Sequence, residues 1–216
     1  MTNIHTQESG RSMIEMLGVL AINGVLSVGG IAGYSQAMSK FKVSKTTDQI
    51  QTMVTNIRTL FSSQKNYDGL DTTTDGGPKL LYAAGILTDE NCPDSSACST
   101  PMNPYGGTIE IMVTKDDMSR SERAFAVTYN GLPSDACVRL ASQGWGDTAS
   151  GLIAVQAKKT EYTPTNNQAI PTRTASPGDG NAVGYTKNAD IPLSFEAATK
   201  GCGTGGSASS LTLFYK

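Results

Sequence analysis

Residues 9–38 read SGRSMIEMLGVLAINGVLSVGGIAGYSQAM, and this stretch decides how the rest of the chain is read. From Met13 to Ala37 it is apolar and small almost without a break, long enough as a helix to cross a bilayer. The ionisable Glu15 near the start and the polar Asn23 interrupt it. A carboxylate inside hydrocarbon costs about 3 kcal/mol or more, so Glu15 reads as a functional residue unless the stretch is a plain signal peptide or anchor with a stray acid. Gly10 directly precedes Arg11, and Glu15 is the fifth residue after that glycine. Upstream, residues 1–10 (MTNIHTQESG) form a short polar leader, without the basic start and separate apolar core of a secretory signal peptide.

Downstream the apolar character becomes one-sided. After Lys40, Lys42 and Lys45, the residues Ile50, Met53, Val54, Ile57, Leu60 and Phe61 recur at the spacing of one helix face. Gln51, Thr52, Thr55, Asn56, Arg58 and Thr59 fill the other face. The pattern predicts one continuous helix from Met13 to Gln64, roughly 75–80 Å long. Its first half needs a membrane or a helix bundle around it, and its second half needs a folded head. Within the first half small residues recur, with Gly29 and Gly33 in the G-x-x-x-G spacing that lets helices approach closely in lipid. The Gly29-Gly30 pair is also a candidate point of bending, because glycine weakens a helix by up to about 1 kcal/mol.

Asn66-Tyr67-Asp68-Gly69 ends that helix with turn chemistry. Residues 71–79 read as a loop, 80–87 as a short helix or strand, and 88–107 as a loop rich in turn formers. TIEIMVTK (108–115) alternates Ile109, Ile111 and Val113 with Glu110, Met112 and Thr114, which predicts a half-buried strand. RAFAVTYNGL (123–132) places Phe125, Val127 and Tyr129 on one face and turns at Asn130-Gly131. Ser134 is a candidate cap for a helix over 134–143. GLIAVQAK (151–158) and SLTLFYK (210–216) read as further strands, and the Thr-, Pro-, Asn- and Gly-rich 160–190 as a long surface excursion. The fold class is α+β, an antiparallel sheet laid on a long helix. With 216 residues, the chain fits one domain plus appendages, divided as 1–10, 11–38, 39–66 and 67–216.

Cys92, Cys98, Cys137 and Cys202, with an export signal, suggest two disulfides in an oxidising compartment, among three possible pairings. The C-x5-C spacing and the shortage of histidine make zinc a poor alternative. The single histidine, His5, would leave with the leader, so the commonest general base would be absent from the mature chain. With 17% charged residues and a net charge of −2, no basic patch points to nucleic acid. No phosphate-binding glycine loop follows a strand, so no cofactor is implied. KDDMSRSE (115–122) reads as a solvated turn rather than a metal site, and Trp145 as a packed loop anchor.

Gly10 followed at the fifth position by Glu15, in a hydrophobic helix, resembles the type IV pilin signature. In that family a membrane peptidase cleaves after the glycine and N-methylates the new amino terminus. The resemblance therefore implies a cut between Gly10 and Arg11 and makes the chain a prepilin peptidase substrate. It also implies that Glu15 pairs with the new α-amine on Arg11 of a neighbouring subunit and sets the axial register. Arg11 stands where the family usually has Phe, Met or Leu. The run 103–142, NPYGGTIEI to RAFAVTYNGLPSDACVRLAS, is similar to the type IVb pilins, the toxin-coregulated, bundle-forming and conjugative thin pilins. There a short helix after an A-F-x-V…G-L strand bonds its cysteine to one near the C-terminus, enclosing a variable D-region. The resemblance implies Cys137–Cys202 here, with Cys92 and Cys98 as an addition to the shared pattern.

The function implied is a structural subunit of a type IV pilus. It would wait in the bacterial inner membrane with its head in the periplasm. An inner-membrane assembly platform would then pass it into a homo-oligomeric extracellular filament for adhesion, aggregation, motility or conjugation. The rival readings are a pseudopilin of a type II secretion system and a minor tip pilin acting as a binding module. A tethered enzyme is disfavoured.

Overall fold

The computed structural model describes residues 11–94, 97–174, 178, 180–206 and 208–216, with backbone only at 11 and 12. The leader, Gly10 and His5 lie outside the described residues. The chain divides after Phe41 into two units. Helix α1 spans Arg11–Leu60 and supplies the first unit and the opening of the second.

In the second unit the expected stripe buries Ile50, Met53, Val54 and Ile57, while Leu60 is exposed and Phe61 half-buried. The helix stops at Leu60, short of the predicted Gln64. Ser62 explains the early stop, since its hydroxyl and its N–H both donate to the Thr59 carbonyl in place of the helical ladder. The chain then turns so that Phe61 and Tyr67 pack toward Phe125, with ring centroids 5.4 and 4.8 Å apart in succession.

Helix α2 covers Gly77–Ala83, inside and ahead of the predicted 80–87 element. Pro78 starts it early, since its fixed φ suits a first helical turn. Gly77 is required there, because a Cβ would lie 2.1 Å from the Asp71 carbonyl. Five antiparallel strands follow: β1 Ile109–Thr114, β2 Ala124–Leu132, β3 Leu152–Lys158, β4 Asn181–Tyr185 and β5 Ser209–Tyr215, in the order β1-β2-β5-β3-β4. Helices α3 (Ser134–Ala141) and α4 (Phe195–Cys202) complete the head.

The alternation read from the strands holds on the front face. Ile109, Ile111, Val113, Phe125, Val127, Tyr129, Leu211, Leu213 and Tyr215 form one core cluster with Ile50, Met53 and Ile57 of α1. The back face carries its own smaller core of Ala124, Ala126, Ile153, Ala154, Val183, Tyr185 and Phe214. The sheet is therefore buried on both sides.

That second core corrects the reading of 160–190 as a surface excursion. Part of it is the strand β4, paired with β3 from Ala154↔Tyr185 to Lys158↔Asn181. Gly184 sits in that strand because a Cβ would meet Leu193 at 2.6 Å. The segment before β4 is a strap held against the sheet. Ile170 packs on the back core, and the Tyr185 hydroxyl donates to the Pro171 carbonyl. Asn130 fastens the strap by accepting from the Tyr162 N–H at 2.9 Å and donating to the Tyr162 carbonyl at 3.2 Å. Helix α4, where no helix was expected, is capped by Ser194, whose hydroxyl accepts from the Ala197 N–H.

Both sheet edges are occupied. Along β1, Thr72 and Val113 donate backbone N–H groups to Ile111 and Leu70, and Asn167 and Lys115 bond across to Val113 and Gln168. Along β4, Thr174 bonds to Val183 through its backbone and its hydroxyl.

Asn130→Ala removes both polar links to Tyr162, each worth about 0.5–1.5 kcal/mol net. The expected outcome is a head less stable by about 2 kcal/mol, with the Tyr162 amide exchanging faster than the sheet amides, read by denaturation and hydrogen exchange.

Candidate functional site

The first unit presents the feature that sets this chain apart. Met13, Ile14, Met16, Leu17, Val19 and Leu20 are all exposed on α1, as are Ile22, Val25, Leu26, Val28, Ile31 and Tyr34. Glu15 and Asn23 are exposed among them. Gly10 is outside the described residues, and α1 begins at Arg11, whose backbone alone is described. The helix runs unbroken through Gly29 and Gly30. A Cβ built on Gly18, Gly24, Gly29, Gly30 or Gly33 would meet nothing within 4 Å. No packing among the described residues therefore asks for glycine at these positions. Their shallow surface faces outward, where close helix approach is what glycine offers.

In the second unit, polar contacts tie α1 to the loops around it. Lys45 and Gln49 both meet Glu90, at 3.4 and 3.3 Å, and Lys42 lies over the Tyr105 ring. Asn56 donates to the Gly85 carbonyl at 2.9 Å, and the Arg58 guanidinium to the Ser150 carbonyl. Two lysines of the basic cluster thus have specific places in the head.

Cys92 is bonded to Cys98, and Cys137 to Cys202, with no free cysteine. Both sulfurs of the second bridge are buried, joining α3 to α4 across 65 residues. The bridge encloses β3, the strap, β4 and α4. Inside this region Arg173 forms a forked ion pair with Asp190, and its hydrogen bond holds the Asp190 carboxyl below the usual range. Trp145 is buried and donates its indole N–H to the Leu140 carbonyl at 2.7 Å, so it anchors the loop after α3.

Among the described residues, no group of three His, Cys, Asp or Glu side chains is placed to hold a metal. The 115–122 turn is organised by one carboxylate. Asp116 is buried and accepts from the Met118 and Arg120 N–H groups and from the Arg120 guanidinium. Burial alone would raise its pKa, but these hydrogen bonds and the Arg120 charge outweigh it and lower it. Glu110 goes the other way: burial raises its pKa, against a hydrogen bond from Thr163. Both carboxylates are structural, one closing a hairpin and one holding the strap.

A lipid-length helix followed by a front-and-back packed antiparallel sheet, with a disulfide across its C-terminal part, is the type IV pilin fold. Two solved structures share it. The crystal structure of TcpA, a type IV pilin from Vibrio cholerae El Tor biotype, matches with a TM-score of 0.54 at 16% identity, covering 81% of this chain and 99% of that one. The type IV b pilin from Salmonella typhi matches with a TM-score of 0.50 at 18% identity, covering 80% and 99%. The family is narrower than the fold. The bundlin family model matches residues 36–188, more than half of the chain, and the chain belongs to that family. Two major structural subunits of the bundle-forming pilus, from Escherichia coli O111:H- and O127:H6 (strain E2348/69 / EPEC), are each 26% identical over 186 residues. The match spans 85% of this chain and 90% of theirs. The chain is a structural pilus subunit of the type IVb kind, a component of a multi-subunit extracellular filament.

Replacing Cys137 and Cys202 together by serine frees a 65-residue loop in the unfolded chain. The expected loss is about 4 kcal/mol of head stability by chain entropy, against about 2 kcal/mol for the short Cys92–Cys98 ring. Denaturant titration of the two double variants compares them directly.

Proposed function

We propose that this chain is a major pilin made as a membrane precursor, cut between Gly10 and Arg11 by a prepilin peptidase and N-methylated there. It resides in the bacterial inner membrane with its head in the periplasm, and an inner-membrane assembly platform inserts it into the filament. The observation that carries this reading is the wholly exposed apolar face of α1 beside a head whose core is already complete. A helix that is hydrophobic all round belongs in lipid or in the centre of a bundle. The same surface serves in both places, so moving from membrane to filament never exposes it to water.

Glu15 gives that transfer its register. In the filament core its carboxylate pairs with the α-amine on Arg11 of a neighbouring copy, and each neutralises the other's buried charge. A buried charge left alone destabilises strongly, so subunits settle where the pair forms. The head contributes the outer surface, and the bridge-enclosed region from β3 to α4 is the part of it that varies most easily. Adhesion, aggregation, motility or conjugation are then properties of the polymer.

Intact mass with N-terminal fragmentation, on protein from its native membrane, tests the processing. The expected species begins at N-methylated Arg11 and is four hydrogens lighter than the fully reduced chain. A chain that retains residues 1–10 would overturn the processing reading. Glu15→Ala tests the register: membrane insertion is expected to persist while filament yield falls at least tenfold, measured by shearing and quantifying surface filaments.

A further inference from the structure

The apolar half of α1 carries a second polar side chain that neither the processing nor the register uses. Asn23 lies near the middle of the Met13–Ala37 run, about 15 Å along the helix from Met13 and about 21 Å from Ala37. A bilayer's hydrocarbon is about 30 Å thick, so this depth offers the amide no water. Its side chain is exposed on the helix and makes no hydrogen bond within the described chain. Ser27, one turn on, differs in this respect. Its hydroxyl donates to the Asn23 backbone carbonyl at 2.7 Å, so it needs nothing from outside. The Asn23 amide, with two donors and one acceptor oxygen, does.

We propose that Asn23 joins the α1 helices of two copies of this chain while they are in the membrane, side by side, parallel and in register. The bond runs between their side-chain amides. The inference rests on the membrane stage proposed above and names a contact made there. Copies waiting in one membrane share an orientation, so equal residues lie at equal depth. An amide is both donor and acceptor and is therefore complementary to a copy of itself. The same helix face continues through Ser27 to Gly30, spaced by four and three residues. Neither carries a bulky side chain, and a Cβ on Gly30 would meet nothing in its own chain, so a second helix can come close along this lane. Lipid cannot supply the partner, because its tails have no hydrogen-bonding group, and the head is outside the bilayer. In the filament the Glu15 to Arg11 pairing shifts neighbours by four residues, about 6 Å, which takes Asn23 out of line with its equal. The amide pair is thus a contact of the waiting pool that dissolves on incorporation.

The test uses the full chain in vesicles of phosphatidylethanolamine and phosphatidylglycerol, with donor and acceptor fluorophores on separate copies of the head. Asn23→Leu is expected to weaken association threefold to thirtyfold, the range of interhelical polar contacts in membranes. Asn23→Gln is expected to recover most of it. In parallel, Asn23→Cys is expected to form a disulfide dimer under mild oxidation, well ahead of Val25→Cys, which lies on the opposite face. Unchanged association of Asn23→Leu, or equal cross-linking at the two cysteine positions, would overturn the proposal. Neither readout needs an assembly machinery. A failure of the pilin reading would appear instead in the N-terminal mass and the Glu15 variant, leaving the vesicle result to stand by itself.

Discussion

One constraint dominates the first unit: between Met13 and Tyr34, α1 exposes large apolar side chains that nothing in the chain covers among the described residues. Burying each large apolar side chain is worth about 1.5–3 kcal/mol, and twelve of them on one helix amount to tens of kcal/mol. That exceeds the 5–15 kcal/mol that holds a whole domain together. No rearrangement of the head could compensate for releasing such a helix into solution. On the reading proposed above, the helix passes from one apolar surrounding to another. Because lipid tails and neighbouring helices are equally apolar, the hydrophobic effect does not choose between them. On that reading the choice falls to the few groups that lipid cannot satisfy, Glu15 and Asn23, and to the close approach that the glycine surfaces allow.

The head already carries backbone partners from the same chain at both sheet edges. Its core closes from residue 42 onward, using the amphipathic end of α1 as one wall. Exposed sheet edges are ready templates for pairing with another chain. Here segments 70–72 and 167–168 cover one edge, and Thr174 the other. In a filament, where identical heads are crowded together, open edges would invite pairings unrelated to the helical register. Covered edges remove strand pairing as a competing route of association.

Legibility in the sequence tracked the amount of apolar contrast in each element. The α1 stripe, β1, β2 and β5 alternate large apolar with polar or small residues, and their faces are where the periodicity placed them. The end of α1 was missed by four residues because Leu60 and Phe61 continue the period while Ser62 breaks the ladder. The strand β4 and the helix α4 were not legible. NAVGY puts Val183 and Tyr185 on one face with only Ala182 and Gly184 on the other, a run too short to show a period, and FEAATKGC buries only Ala197, Ala198, Gly201 and Cys202. Their identity comes from what they lie against: β3 for the strand, and α3 with the Cys137 bridge for the helix. Beyond Ile170, the strap is held by hydrogen bonds with Asn130, Glu110 and the Lys115 backbone, which leave no period in the sequence.

The same contrast explains why the covalent bridge stands where it does. The front core rests on Phe125, Tyr129, Leu211, Leu213 and α1, large side chains that bury enough area to hold themselves. Between β4 and α4, Val183, Tyr185 and Leu193 are the large buried side chains, and the rest of the packing falls to alanines and glycines, which contribute little apolar area. Small side chains let the backbones approach, as at Gly201, where a Cβ would lie 2.8 Å from the Ala182 methyl, but closeness alone is weak adhesion. Tying α4 to α3 through Cys137 and Cys202 lowers the entropy of the unfolded segment instead of adding contacts to the folded one. The segment between the cysteines is thereby freed from supplying a core of its own. It can change its surface residues without loosening the sheet that carries them.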